Sequence, residues 1–117
     1  MNVDYAELLT LIGKAASTTP DPEQVLALKR FSWFSIEFGL IEEDSEVKIF
    51  GAGILSSTGE IPYSLSPAVR RRPFITDEVI ATDYDPSRMQ DQLFIIPSFE
   101  FLRGEISRLV ERFGIKV

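Results

Sequence analysis

The segment from Phe31 to Ile41 constrains the fold more than any other stretch, because it is apolar on every side of a helix. Its charged or hydroxyl side chains are only Ser32, Ser35 and Glu37. A helix that is apolar all round is buried all round. A capping pattern at Asp21 and Pro22 favours a helix that begins at Pro22, and Gly39 favours its end. The sequence therefore predicts one helix from Pro22 to about Phe38 that runs into the centre of a larger body.

Two amphipathic helices are predicted at the ends of the chain. The first covers Asp4 to Ala16, and apolar residues at helical spacing give it one stripe, which consists of Tyr5, Leu8, Leu9 and Ile12. The last begins at Pro97 and Ser98 and ends at Gly114. Its stripe consists of Phe99, Leu102, Ile106, Leu109 and Phe113.

Between these helices the pattern predicts short elements. Two strands are expected, Glu46–Phe50 and Leu93–Ile96. The other expected elements are an acidic turn at Glu42–Ser45, helical turns at Ile54–Ser57 and Gly59–Leu65, a loop at Ser66–Pro73, and a brief helix from Thr76 to near Tyr84. The predicted fold class is mainly α (α+β): one domain over residues 1–117, with several helices and two or so short strands.

Composition excludes several classes of partner. The net charge of −6 argues against nucleic acid, whose binding proteins bring positive charge to the phosphates. The basic run Arg70-Arg71-Arg72 is short, and we interpret it as a solvated loop. The chain has no cysteine and no apolar run long enough for a membrane span. We expect a cytoplasmic protein that binds neither nucleic acid nor membrane.

Glu37 is the candidate for chemistry, because its helical neighbours are Trp33, Phe34 and Ile41. A carboxylate among aromatic rings is costly to desolvate unless a metal, a cation or hydrogen bonds compensate it. Position alone favours pairing with Arg30, or a side chain that reaches the surface. Metal ligation is the sharper alternative.

A family resemblance strengthens the metal hypothesis. The stretch Phe31–Leu40 (FSWFSIEFGL) resembles the Trp-Phe-x-x-Glu-Phe-Gly segment of the pterin-dependent aromatic amino acid hydroxylases. Phe50–Ile61 (FGAGILSSTGEI) is similar to the family's next block, and Met89–Phe99 (MQDQLFIIPSF) to its Phe-Gln-Pro strand. The likeness extends from about Tyr5 to Phe113. It implies the C-terminal half of a hydroxylase catalytic domain.

The resemblance implies roles for particular residues. Glu37 would be the carboxylate of a 2-His-1-carboxylate Fe(II) site. Residues implied to line the pocket of an aromatic amino acid substrate are Trp33, Phe38, Gly53 and Ser56. Glu60 and Tyr84 would lie just behind them. Core packing is the alternative for Trp33 and Phe38.

The chain departs from the family pattern in ways that bear on activity. It contains no histidine, and the family's histidine ligands lie on a helix upstream of Tyr5. Ser32 stands where the family usually has tyrosine, and Lys29 replaces a small residue. We therefore expect this chain alone to bind neither Fe(II) nor tetrahydropterin, the cofactors of a full-length parent, and to be inactive.

Two hypotheses remain open for the chain as a whole, besides an unrelated helical domain. It is a truncated or split aromatic amino acid monooxygenase, or it is a non-catalytic binding or subunit protein that uses the former active-site surface as an interface. Either way we expect self-association or a partner chain, because a half-domain should not cover the apolar segment Phe31–Ile41 by itself.

Overall fold

A computed structural model describes residues 3–55, 65–67, 69–87 and 90–116 of the chain. Helices dominate, and they pack with a small mixed sheet, which confirms the predicted fold class. The helices are α1 (Val3–Thr18), α2 (Pro22–Ser32), a π-helix (Trp33–Glu37), α3 (Ala52–Leu55), α4 (Thr76–Val79) and α5 (Phe99–Arg112). The strands are β1 (Leu40–Glu43), β2 (Glu46–Ile49), β3 (Arg70–Pro73) and β4 (Gln92–Ile96).

The long helices begin where the capping residues predict. The Asp21 carboxylate accepts a hydrogen bond of 2.9 Å from the Glu23 amide at the start of α2. The Ser98 hydroxyl accepts one of 3.0 Å from the Phe101 amide at the start of α5. Each bond satisfies an amide that has no partner inside its own helix.

The prediction of one α-helix from Pro22 to Phe38 is wrong in its second half. The α-helix ends at Ser32, and the chain widens into the π-helix. The Phe38 amide donates to the Trp33 carbonyl at 2.8 Å, which is a bond across five residues. Such turns insert one extra residue into a helix and frequently occur at functional sites.

The sheet has four strands in the order β2-β1-β4-β3, where the sequence predicted two or so. β1 and β2 form an antiparallel hairpin. Its turn residues, Asp44 and Ser45, have φ of 54° and 64°. Two positive φ angles match the turn that favours strand pairing in tight hairpins. The sequence predicted no strand at β1, since Glu42 and Glu43 were expected in an acidic turn and an apolar run such as Phe31–Ile41 does not distinguish a buried helix from a strand.

The expected loop at Ser66–Pro73 is corrected in its last part, since Arg70–Pro73 is an edge strand parallel to β4. Arg70 and Arg71 are exposed, as predicted for a solvated basic run, but Arg72 is half-buried, pairs with Glu78 and lies over the Phe94 ring. A proline and charged side chains are compatible with the edge of a sheet, where one row of backbone groups has no neighbouring strand. The expected helical turn at Gly59–Leu65 lies almost entirely outside the described residues.

β4 separates two apolar clusters because its side chains alternate between the faces of the sheet. Phe94 and Ile96 belong to the main core, which lies under α1, α2, the π-helix and α5. Leu93 packs in the smaller cluster with Leu40, Ile54 and Val69. The π-helix therefore lies on the sheet and under α1, in the middle of the chain's own core.

The apolar segment is buried by the chain itself. Phe31, Phe34 and Ile36 are 0%, 1% and 2% exposed. The reason given for expecting self-association, that a half-domain leaves these side chains uncovered, is therefore wrong. None of the helices in the described part of the chain is long and apolar enough to cross a membrane.

Candidate metal and substrate site

Glu37 is the last residue of the π-helix and is half-buried. Arg30, the cation considered as its partner, instead forms an ion pair with Asp83 and donates to the Ile80 carbonyl at 3.0 Å. Among the described residues, no arginine or lysine forms an ion pair with Glu37. The prediction that Glu37 pairs with Arg30 is therefore wrong, and its partial exposure agrees with the alternative that the side chain reaches the surface.

Glycines allow the chain after β2 to press against the backbone of Glu37. A β-carbon added at Gly51 would lie 2.2 Å from the Glu37 carbonyl oxygen. One added at Gly53 would lie 2.8 Å from the same oxygen and 2.9 Å from ring atoms of Phe38. Real β-carbon contacts are never that short, so only glycine fits. The contact of Gly51 and Gly53 with the Glu37 carbonyl fixes the end of the π-helix.

Tyr5 on α1 also holds the end of the π-helix, through the carbonyl of the residue before Glu37. Its hydroxyl donates to the Ile36 carbonyl at 2.6 Å. Burial raises the pKa of Tyr5, a hydrogen bond from the Ala52 amide lowers it, and the negative charge of Glu37 raises it, so that the pKa lies above its usual value. Tyr5 thereby joins α1, the π-helix and α3 beside Glu37. Nothing in the sequence pointed to this role of Tyr5 beyond its place in an apolar stripe.

Three aromatic rings form a stack next to Glu37. The rings of Trp33 and Tyr84 are parallel, with centroids 4.3 Å apart and an interplanar angle of 9°. Phe38 contacts Trp33 with a centroid distance of 4.5 Å. Offset and tilted arrangements of this kind are favourable for aromatic pairs. We call these three residues the aromatic stack.

Glu37 and two rings of the stack, Trp33 and Tyr84, line an open groove of about 450 Å³ between α1 and the α2–π-helix segment. The groove is mostly apolar, and Lys29 and Ser32, the two departures from the family pattern, lie on its wall. Its lining residues are Leu9, Ile12, Gly13, Ala16, Leu28, Lys29, Ser32, Trp33, Glu37 and Tyr84. A concave apolar surface with a few charged or polar groups, here Glu37, Lys29 and Ser32, is typical of a small-molecule site.

The structure brings together most of the residues singled out in the sequence. Glu37, Trp33, Phe38, Gly53 and Tyr84 lie in one region. Ser56 and Glu60 lie outside the described residues. The described part of the chain contains no group of three or more acidic, histidine or cysteine side chains that could hold a metal. A metal held at Glu37 would need its other ligands from outside that part of the chain.

Comparison with known proteins identifies the family. A sequence model of the biopterin-dependent aromatic amino acid hydroxylases matches residues 1–116, so the chain belongs to this family. The tyrosine 3-monooxygenase of Canis lupus familiaris is 35% identical over 116 residues, 96% of this chain and 23% of that protein. The phenylalanine-4-hydroxylase of Vibrio cholerae is 37% identical over 101 residues, 85% of this chain and 34% of that protein.

Solved structures agree with the family assignment. The phenylalanine hydroxylase of Chromobacterium violaceum with bound Fe(III) superposes with a TM-score of 0.83 and 30% identity, covering 97% of this chain and 43% of that one. The same enzyme is also known with iron(III) and 7,8-dihydrobiopterin bound. The chain thus spans between a fifth and about a third of the curated relatives' length and under half of the solved hydroxylase.

Proposed function

We propose that these 117 residues form the distal part of an aromatic amino acid monooxygenase site, with Glu37 as its carboxylate iron ligand. The observation that carries the proposal is the placement of Glu37. It lies at the end of a π-helix, half-buried, on a groove and beside an aromatic stack. The matching hydroxylase of Chromobacterium violaceum contains iron, which supports the assignment of a metal to this region.

The donor set is incomplete within the sequence. An Fe(II) site of the 2-His-1-carboxylate type needs two imidazoles besides the carboxylate. The sequence contains no histidine. Glu37 fits one position of such a site, and we propose that residues beyond these 117, in a longer protein or in a partner chain, supply the others. The isolated chain is then inactive.

The substrate proposed for the completed site is an aromatic amino acid. Trp33 and Phe38 offer ring faces and edges that pack against an aromatic side chain. Gly53 leaves room next to Phe38. Ser56, Glu60 and Tyr84 complete the set of residues that we assign to the pocket and its support. The chain is 35% identical to a tyrosine 3-monooxygenase and 37% identical to a phenylalanine-4-hydroxylase, so we propose the substrate class alone.

Fe(II) and tetrahydropterin, when bound, supply the oxygen activation and the electrons for ring hydroxylation. The contribution of this chain is to hold the Glu37 carboxylate in place and to form one wall of the pocket. Gly51 and Tyr5 fix the backbone on either side of Glu37, at its carbonyl and at that of Ile36. Preorganised support of this kind keeps a ligand in its binding geometry without cost at the moment of binding.

Two measurements on the isolated chain test the proposal that the site is incomplete. Calorimetric titration with Fe(II) should detect no tight one-to-one binding in the wild-type chain or in Glu37→Ala. Phenylalanine, tyrosine and tryptophan, each with tetrahydropterin and O2, should give no hydroxylated product above the enzyme-free blank. A tight site that Glu37→Ala abolishes, or chelator-sensitive product formation, would refute the proposal.

A second candidate is a non-catalytic subunit in the cytoplasm, whose groove is covered by a partner chain or a second copy. The exposure of Leu9 on the groove, 44% for the whole residue, favours it. Light scattering on a size-exclusion column separates the cases. A dimer that Leu9→Glu dissociates supports an interface between copies. A 13.2 kDa monomer at all concentrations would exclude an interface between two copies of the chain.

A further inference from the structure

Gln90 is a buried polar residue that the sequence analysis did not single out. It is 5% exposed and lies two residues before β4, at the edge of the region that contains the aromatic stack. A buried amide is unfavourable unless its polar atoms are hydrogen-bonded. The partners of Gln90 therefore indicate why it is there.

Both ends of the Gln90 amide are used. Its Oε1 accepts from the indole Nε1 of Trp33 at 3.0 Å. Its Nε2 donates to the backbone carbonyl of Asp85 at 3.0 Å. An indole N–H is only a donor and a carbonyl only an acceptor, so the orientation of the amide is unambiguous.

These two bonds reach both halves of the Trp33–Tyr84 pair. Trp33 is on the π-helix, and Asp85 directly follows Tyr84 in the chain. The same side chain thus holds the indole of one ring and the backbone that carries the other. The pair that it joins is parallel to within 9° and lies on the groove wall with Glu37.

We propose that Gln90 is a positioning residue that fixes the Trp33–Tyr84 pair on the groove. It acts through Trp33 and the Asp85 backbone and does not itself line the groove. The indole has a preferred plane in the stack, but stacking alone leaves it free to slide or turn over. The hydrogen bond at one edge of the ring removes that freedom. The assignment of this wall to a substrate pocket rests on the proposed function, whereas the positioning itself does not.

The chain contains a single tryptophan, so indole emission reports on Trp33 alone. In Gln90→Met both hydrogen bonds are lost while a side chain of similar length remains. We expect the emission to shift to longer wavelength, acrylamide quenching to rise, and the near-ultraviolet circular dichroism of the stacked pair to fall. Gln24→Met is the matched control, because it removes a glutamine bond to the Phe113 carbonyl, away from the stack.

Gln90→Glu separates the hydrogen bond to the Trp33 indole from the one to the Asp85 carbonyl. Its carboxylate still accepts from the indole N–H, but it has no donor for the Asp85 carbonyl. We expect emission and quenching close to wild type, with a reduced near-ultraviolet signal because Tyr84 is no longer held. If Gln90→Met fails to fold, Gln90→Glu decides by itself, since wild-type behaviour in every signal would overturn the proposal.

A double-variant comparison distinguishes positioning from general destabilisation. In a Tyr84→Leu background the stacked pair is already absent, so Gln90→Met should change the near-ultraviolet signal much less than in the wild type. Equal changes in the two backgrounds would overturn the proposal, as would identical spectra for Gln90→Met and Gln24→Met. The measurements need no iron, pterin or substrate. A negative result in these measurements would therefore overturn the positioning role of Gln90 without bearing on the hydroxylase assignment.

Discussion

The α-carbon of Gly51 faces the carbonyl oxygen of Glu37 so closely that an added β-carbon would lie 2.2 Å from it. The Gly51 amide also donates to the Gly39 carbonyl at 2.9 Å. The residue before it, Phe50, donates to the same carbonyl at 3.0 Å. The segment after β2 is thus hydrogen-bonded to Gly39, two residues after Glu37 in the chain. The position of the Glu37 carboxylate therefore depends on backbone contacts that only a glycine at position 51 permits.

Gly51→Ala should destabilise the chain by about 1–3 kcal/mol, because the new methyl group overlaps backbone atoms that cannot rotate away. Gly13→Ala is the control, since a β-carbon there meets no atom within 4 Å. At this exposed helical position alanine should stabilise by about 0.5–1 kcal/mol. Urea unfolding measures both. Equal effects at the two glycines would contradict the close approach at Glu37.

Tyr5→Phe should lower the free energy of unfolding at neutral pH by about 1 kcal/mol, through loss of the hydrogen bond to the Ile36 carbonyl. Folding raises the Tyr5 pKa above 10.0, so the folded chain keeps a proton that the unfolded chain releases. The stability that Tyr5 contributes is therefore complete below pH 10 and falls as pH rises through the folded pKa.

The difference between wild type and Tyr5→Phe should consequently shrink in alkaline solution. Urea unfolding at neutral pH and at a series of values above pH 10 measures it. A difference that stays constant across the series would show that the Tyr5 pKa is not raised by folding.

Glu105 links α4 to α5, since it accepts hydrogen bonds from Thr76 at 2.8 Å and from Arg108 at 2.9 Å. Burial raises the pKa of the Glu105 carboxyl, but the hydrogen bonds from Arg108 and Thr76 outweigh it and leave the pKa below 4.5. The stabilisation is present above pH 4.5 and is lost as pH falls through the folded pKa.

Glu105→Gln should therefore cost stability at pH 7, by about 1 kcal/mol, and progressively less below pH 4.5. Glu111→Gln, an exposed position on the same helix, is the control. Thermal unfolding across the acid range measures the effect. If Glu105→Gln matches Glu111→Gln at every pH, the link between the two helices does not contribute to stability.

The sequence predicted what depends on local pattern. The apolar stripe and caps of α5 and the burial of Phe31 and Phe34 follow from spacing and composition, and the structure confirms them. The family motif around Glu37 singled out Trp33, Glu37 and Phe38, which the structure places together beside the groove. These features are encoded within a few turns of chain.

What the sequence did not predict depends on contacts between distant segments. The Trp33–Gln90 bond joins residues 57 apart, and the Tyr5–Ile36 bond joins residues 31 apart. β3 is a strand because β4 pairs with it, although Arg70-Arg71-Arg72 lacks the alternation typical of a half-buried strand. The π-helix depends on shifted backbone bonds such as that from the Phe38 amide to the Trp33 carbonyl, for which the side chains carry no periodic signal.

A chimera tests the central claim that Glu37 completes an iron site whose other ligands lie outside these residues. In the chimera, this chain replaces the segment of Chromobacterium violaceum phenylalanine hydroxylase on which it superposes. Fe(II) binding to the chimera is measured by calorimetric titration. Glu37→Gln tests the ligand. Glu42→Gln, an exposed carboxylate on β1, is the control, and far-ultraviolet circular dichroism verifies that all three proteins are folded.

The account predicts one Fe(II) per molecule in the chimera and in its Glu42→Gln form, and loss of that binding in Glu37→Gln. A folded chimera that binds no iron, or one in which Glu37→Gln binds iron as tightly as the unmodified chimera, would contradict it.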